Sequence, residues 1–243
     1  MSDIDNLSKI NIIQKDKDFL VVEKPVGLLV HSTAHQKDNT LADWLLEYYP
    51  EIKGVGDKNR PGVVHRLDKD VSGLMVIAKN QKMYECLVQQ FLKNKVRKEY
   101  FALVYGRPSQ EKGIIELPIG FTRKGKLVAI KSQKDVKTKK SAITEYEIVK
   151  NFSIFNFQFS LLKVRPFTGR THQIRLHLKS VGCPIVGDSR PAPVFLINQS
   201  SSYSPRVFLH AFYLGFYDLN GQWREFKSEL PRDFKEVLVK IGG

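Results

Sequence analysis

Pro61-Gly62-Val63-Val64-His65-Arg66-Leu67-Asp68-Lys69-Asp70-Val71-Ser72-Gly73-Leu74-Met75-Val76-Ile77-Ala78 is the stretch around which the chain is organised. Two valines lead into His65-Arg66-Leu67-Asp68, and a polar turn closed by Ser72 and Gly73 is expected next. Leu74 to Ala78 is a short apolar run bounded by turn residues, the pattern of a buried strand. Asp68 therefore belongs to a loop beside a rigid strand, with Arg66, Lys69 and Asp70 as charged neighbours. Loops on rigid scaffolds commonly carry chemistry, although an Asp in a turn also satisfies backbone donors.

The chain has 243 residues, enough for a substantial core in one domain or two small ones. Hydrophobic residues make up 42% and charged residues 26%, ordinary for a globular protein. The formal net charge of +14 is not ordinary and points to a polyanionic partner, nucleic acid ahead of an anionic membrane. No run approaches the length of a membrane-spanning helix, and the N-terminus lacks an apolar signal core. Only Cys86 and Cys183 occur, far apart, which argues against a zinc site or a disulfide scaffold and fits a cytoplasmic location. No metal and no cofactor is expected, since neither a Gly-rich phosphate loop nor clustered His and Cys is present.

Residues 1–9 read as a polar tail and 10–243 as the folded domain. Ile10 to Ile13 and Phe19 to Val22 form an expected hairpin, and Glu23-Lys24-Pro25-Val26-Gly27 a turn. Thr40 can cap a helix whose stripe, Leu41, Trp44, Leu45 and Tyr48, is read as core. Gln81 to about Asn94 is an amphipathic helix ending in Lys93, Lys95, Arg97 and Lys98. Tyr100 opens a strand to Tyr105. Eight Lys or Arg stand against one Asp between Thr122 and Lys140, around an apolar Leu127 to Ile130, which suggests a basic hairpin arm. Ala142–Val149 and Ser153–Val164 are expected as paired strands, with Phe155, Phe157, Phe159 and Leu161 on a core face at period two. Thr171 can cap a helix ended by Gly182, with Ile174, Leu178 and Val181 inward and His172, Arg175 and Lys179 on another side. Asn220-Gly221 signals a hairpin, and Pro231 opens a last helix carrying Phe234, Val237, Leu238 and Ile241.

His65-Arg66-Leu67-Asp68 with Ser72-Gly73 resembles the signature loop of the RluA family of RNA pseudouridine synthases. Lys24-Pro25-Val26-Gly27, Lys98-Glu99-Tyr100, Gly169-Arg170-Thr171-His172-Gln173-Ile174-Arg175 and Gly187-Asp188 resemble further family motifs, in family order from about residue 10 to 232. The resemblance implies an α+β fold, a mainly antiparallel bisected sheet flanked by helices, with a central RNA-binding cleft. It implies Asp68 as the catalytic carboxylate, Tyr100 stacking on the base and aiding proton transfer at C5, and Arg175 paired with Asp68. Arg66, His65, Arg170, His172, Gln173 and Leu209 become substrate-binding candidates, and Arg66 a residue that holds the extruded nucleotide. Lys93, Lys95, Arg97, Arg123, Lys124 and Lys126 become RNA-backbone candidates.

The implied substrate is a uridine in structured ribosomal or transfer RNA; a monomer is the default expectation, and the family's S4 domain is expected to be absent because too few residues precede the first strand. One departure is the Ser189-Arg190-Pro191-Ala192-Pro193 stretch, with its Ser-rich continuation at 200–204, where the family usually has a Tyr after Gly-Asp. Two other classes share part of the pattern. A base–sugar hydrolase would also need a carboxylate, with Asp70 the only nearby second acid. A non-catalytic RNA binder needs only the charge.

Overall fold

The computed structural model describes residues 7, 9–32, 39–131, 136–188, 193 and 206–242. Most of the expected tail, residues 189–192 and the Ser-rich segment 200–204 lie outside them. In chain order the strands are β1 (Asn11–Lys15), β2 (Phe19–Lys24), β3 (Ser72–Ala78), β4 (Arg97–Tyr105), β5 (Lys112–Ile115) and β6 (Ile119–Phe121). They continue with β7 (Leu127–Ala129), β8 (Thr144–Ile154), β9 (Phe157–Pro166), β10 (Leu209–Tyr217) and β11 (Trp223–Lys227). The helices are α1 (Leu41–Tyr48), α2 (Gln81–Leu92), α3 (Gln173–Ser180) and α4 (Arg232–Gly242). The fold is α+β, with mostly antiparallel sheet and flanking helices. No helix among the described residues is long and apolar enough to cross a membrane.

The chain divides into two compact units, Met1–Lys98 with His210–Glu229, and Glu99–Leu209 with Leu230–Gly243. In the first, strands follow the order β1-β2-β3-β10, with β11 on β10. Phe19 and Val21 of β2, Leu74 and Val76 of β3, and Leu214 and Phe216 of β10 pack with Met83 and Leu87 of α2. Both helices of this unit, α1 and α2, begin at a side-chain cap. Thr40 and Asp43 form a reciprocal capping box, and the Asn80 side chain accepts the Met83 N–H at 3.0 Å.

Ser72 and Gly73 do not close a turn, as the sequence suggests, but open β3. Their backbone pairs in parallel with β10, Ser72 opposite His210 and Gly73 opposite Ala211. Gly73 has φ +125°, and a Cβ there would stand 2.3 Å from the Ala211 carbonyl oxygen. A glycine at this position meets both demands, the backbone angle and the close approach. Tyr48 is a second correction. It is 60% exposed, because the helix turns its ring outward to stack on Trp44 instead of entering the core.

In the second unit β4, β9, β8 and β5 are antiparallel neighbours in that order, β8 and β9 forming a hairpin. The β8–β9 hairpin turns at Phe155-Asn156, with Ile154 opposite Phe157. That turn cuts the expected alternation of aromatics. Phe155 takes φ +51° and is 80% exposed, and Phe157 is 40% exposed, whereas Phe159 and Leu161 are buried. Val181 is also exposed, since α3 ends at Ser180 and Gly182 follows in a left-handed conformation. The basic arm is a hairpin, β6 with β7, and its exposed turn carries Arg123, Lys124 and Lys126. Arg206, 2% exposed, gives Nη1 to both Asp233 oxygens at 2.8 and 2.7 Å and so ties α4 to its unit.

Replacing Gly73 with Ala is expected to cost about 3 kcal/mol of folding free energy, because the methyl group meets backbone that cannot swing aside. Urea unfolding of the two proteins measures the difference, and an unchanged midpoint would mean that β3 and β10 separate at no cost.

Candidate active site

The loop that carries Asp68 belongs to the first unit. Val63 bridges to Ile77, and the Ala78 N–H donates to the Gly62 carbonyl at 2.9 Å, so the loop departs from a fixed point beside β3. Asp68 is half-buried, and its carbonyl accepts the Val71 N–H at 3.1 Å to close a turn. The next carbonyl, that of Lys69, accepts the Gly27 N–H at 2.9 Å and Lys24 Nζ at 3.1 Å.

Lys24 is the unexpected part. Its side chain has no exposed surface, and Nζ also donates to the carbonyls of Pro25 at 2.9 Å and Leu28 at 2.8 Å. A buried ammonium is costly unless its donors are met, and an ammonium has three. Three carbonyls meet them here, and one belongs to the residue following Asp68. The Lys-Pro-Val-Gly turn is thereby strapped to the Asp68 loop through main-chain oxygens. Sequence reasoning left Lys24 without a role, and the signal that could have found it is a lysine directly before a Pro-x-Gly turn.

His65 is positioned by packing. Its ring stacks on Phe91 at 4.8 Å, and Nε2 accepts the Val76 N–H at 3.0 Å. Burial, then the nearby Lys98 charge, push its pKa down to about 3, so it stays neutral near pH 7. Lys98 Nζ lies 5.5 Å from the Phe91 ring centre, and burial lowers that ammonium to about 8. Both observations make His65 a support of β3. Arg66 is exposed. His31 has its Nδ1 buried without a hydrogen-bond partner among the described residues, and its pKa is lowered by burial and by the charges of Arg60 and Arg66. Lys93 and Lys95 are exposed between α2 and β4, and Arg97 is exposed at the start of β4 with its guanidinium 5.4 Å from the Tyr213 ring centre.

The second unit holds Tyr100, Arg175 and the remaining candidates. Tyr100 is 8% exposed on β4, opposite Val164 of β9. Arg175 lies on α3, and its Nε and Nη2 both donate to Asp188 Oδ1, the former at 3.0 Å. Asp188 follows Gly187, whose φ of +82° and contact with the Arg206 carbonyl exclude a side chain. The Gly-Asp pair thus aims a carboxylate at Arg175, a partnership the sequence did not suggest.

Gln173 is 4% exposed and its amide is used inside the protein. Oε1 accepts the Thr168 hydroxyl at 2.7 Å and the Arg170 N–H at 3.0 Å, while Nε2 donates to the Ile143 carbonyl at 2.9 Å and to Thr144 Oγ1 at 3.0 Å. This moves Gln173 from the substrate-contacting group to the residues that shape the loop before α3. His172 takes φ +53° at the helix start and caps nothing, and Thr171 is not the cap that spacing predicts. The Gln173 hydrogen bonds organise that end of the helix instead. Arg170 is exposed with Nε on the Ser141 carbonyl at 3.0 Å, and Leu209 is buried. Among the described residues no group of three or more His, Cys, Asp or Glu could hold a metal ion.

A family model described as RNA pseudouridylate synthase matches residues 18–180. An Aquifex aeolicus protein named uncharacterized RNA pseudouridine synthase is 40% identical over 238 residues, 94% of this chain and 72% of that protein. Ribosomal large subunit pseudouridine synthase D of Pseudomonas aeruginosa is 36% identical over 239 residues, covering 95% and 71%. Among solved structures, human RNA pseudouridylate synthase domain containing 4 superposes with a TM-score of 0.72 at 27% identity, covering 96% of this chain and 93% of that one.

Lys24→Met leaves three carbonyls without their donor and is expected to destabilise by about 3 kcal/mol or more, read as a shifted urea midpoint. An unmoved midpoint would rule out the strap. The unfolded chain takes a proton on His65 near pH 6.5, the folded protein only near 3. This contribution is therefore intact above about pH 6.5 and is lost as the pH falls toward 3. Between pH 7 and pH 5 the parent should lose on the order of 2 kcal/mol more stability than His65→Gln, which keeps an acceptor for Val76. Parallel pH curves for the two would refute the assignment.

Proposed function

This chain belongs to the RNA pseudouridylate synthase family and is an isomerase that converts uridine to pseudouridine in RNA; we propose that its substrate is ribosomal RNA and its catalytic carboxylate Asp68. The observation that carries the second part is the His65-Arg66-Leu67-Asp68 loop, strapped through the Lys69 carbonyl to a buried ammonium inside the segment the family model matches. The names of the large-subunit relatives support the first.

The reaction breaks the bond between N1 and C1′ and makes one between C5 and C1′. A proton leaves C5 and one is gained at N1, so the mass of the RNA is unchanged. A stacked uridine hides both bonds and must first be turned out of its helix. Asp68 acts at the sugar, by attack on C1′ or by removing the 2′ proton. Arg175, whose Nε donates to Asp188, is assigned the part of the catalytic arginine. Tyr100 stacks on the base and assists loss of the C5 proton.

Arg66 holds the extruded nucleotide, and Arg170, His172 and Leu209 line its surroundings. Lys93, Lys95, Arg97, Arg123, Lys124 and Lys126 meet phosphates, which makes affinity fall steeply with salt. Residues 10–243 act as one catalytic domain, as a monomer, and the free thiols of Cys86 and Cys183 suit a reducing cytoplasm.

Asp68→Asn is expected to lower pseudouridine formation on the order of a thousandfold while RNA affinity stays within a few-fold. Turnover at the parent rate would remove the carboxylate from its role. Pseudouridine mapping in cells with and without the protein should show a position lost from ribosomal RNA, and a loss confined to transfer RNA would overturn the substrate assignment.

A further inference from the structure

Beneath the Asp68 loop, within the first unit, lies a chain of polar side chains that the reaction does not use. Ser228, just past β11, donates its hydroxyl to Glu23 Oε1 of β2 at 2.7 Å. His210 of β10 has Nε2 3.0 Å from Ser228 Oγ and Nδ1 2.9 Å from Ser72 Oγ, the first residue of β3. His210 has no exposed surface and Ser72 only 3%. Four elements of the sheet thus meet through one imidazole.

The proton positions follow from counting donors. A serine hydroxyl has one proton, and a carboxylate only accepts. Ser228 directs its proton to Glu23 at 2.7 Å, with the Glu229 carbonyl a longer second acceptor at 3.2 Å, so toward His210 it accepts, which puts the imidazole proton on Nε2. Nδ1 is then bare and accepts the Ser72 hydroxyl. Glu23 at one end therefore fixes the tautomer that holds Ser72 at the other.

Ser72 is where this order reaches the catalytic loop. The Val71 N–H closes the turn onto the Asp68 carbonyl, and Ser72 follows directly. On the main chain, Ser72 and Gly73 pair with His210 and Ala211 at a distance only glycine permits. Lys24 fixes the carbonyl after Asp68, and the Ser72–His210 bond fixes the end of the same turn. A carboxylate reacting at a sugar carbon must stand within a fraction of an ångström of its place, and a misplacement of about 1 Å can cost about a hundredfold in rate.

We propose that His210 is a positioning residue for the isomerisation, its Nδ1 bond to Ser72 setting where the Asp68 carboxylate stands and Ser228 with Glu23 selecting the tautomer. The inference rests on Asp68 being the catalytic carboxylate. It assigns His210 no contact with substrate.

The test uses the full chain with a large-subunit ribosomal RNA transcript tritiated at uridine C5, reading kcat and KM from tritium release and stability from urea unfolding. His210→Asn keeps an acceptor where Nδ1 stands, and His210→Gln keeps a donor where Nε2 stands but leaves Ser72 unmet. The Gln variant and Ser72→Ala are expected to lose kcat by about a hundredfold with KM within twofold, while the Asn variant stays within about fivefold of the parent. A merely structural histidine would lower the stability of both variants and leave the two kcat values alike.

Equal kcat for Asn and Gln overturns the proposal, as does parent-like kcat in Ser72→Ala, which carries the test should a His210 variant not fold. Asp68→Asn is measured alongside. If it is inactive while His210→Gln turns over normally, only the positioning role falls; if it is active, the Asp68 reading falls first.

Discussion

A lysine ammonium with no route to water is the constraint on which the Asp68 loop depends. Lys24 can be buried only if its donors find oxygens, and the three it finds are main-chain carbonyls at Pro25, Leu28 and Lys69. Those carbonyls come from segments forty residues or so apart in the chain, so meeting the ammonium and assembling the loop are one event. Main-chain anchoring has a further effect. The loop's conformation is specified by oxygens that every residue type carries, and the chemistry can be placed in side chains at Arg66 and Asp68 without their having to build the turn.

The second unit solves a similar problem with an amide. Gln173 faces inward and satisfies both sides of the loop that precedes α3, so the next helical positions are set by the 3.6-residue period. Ile174, His177 and Leu178 are buried, and Arg175 is turned toward Asp188. The left-handed backbone at His172 costs about 1 kcal/mol or more. Gln173 offsets that cost, and the helix gains an entry in which the motif's polar residues separate into those that build and those that remain outward.

The motif order and the strand next to Asp68 were readable because they depend on local pattern: an apolar run between turn residues, a cap at Thr40, an Asn-Gly hairpin. The β8–β9 aromatics show where pattern fails. Alternation continues through Phe155 in the sequence, but a two-residue turn at Phe155-Asn156 resets which face each residue takes. Val181 fails for a related reason, since it lies beyond the last helical residue, where the period no longer applies. The partners of Lys24, Arg175 and His210 were not readable at all. Each is a contact between residues distant in sequence or across strands, and a single chain carries no record of which oxygen a buried donor will meet.

Charge and specificity divide between different atoms of this molecule. Lys93, Lys95 and Arg97 in one unit and Arg123, Lys124 and Lys126 in the other are exposed cations, consistent with a net charge of +14. Where a protein meets phosphates through exposed cations, the contacts supply affinity and steering but carry no base information. A synthase that relied on them alone would modify any uridine it could extrude. Selection must therefore arise where the nucleotide is turned out, and unpairing there is least costly in loops and bulges. A rigidly held carboxylate sharpens that selection. With Asp68 as the proposed catalytic carboxylate, a position held by Lys24 and Ser72 would admit only RNA that presents the sugar in that place, so both straps would bear on choice of target as well as on rate.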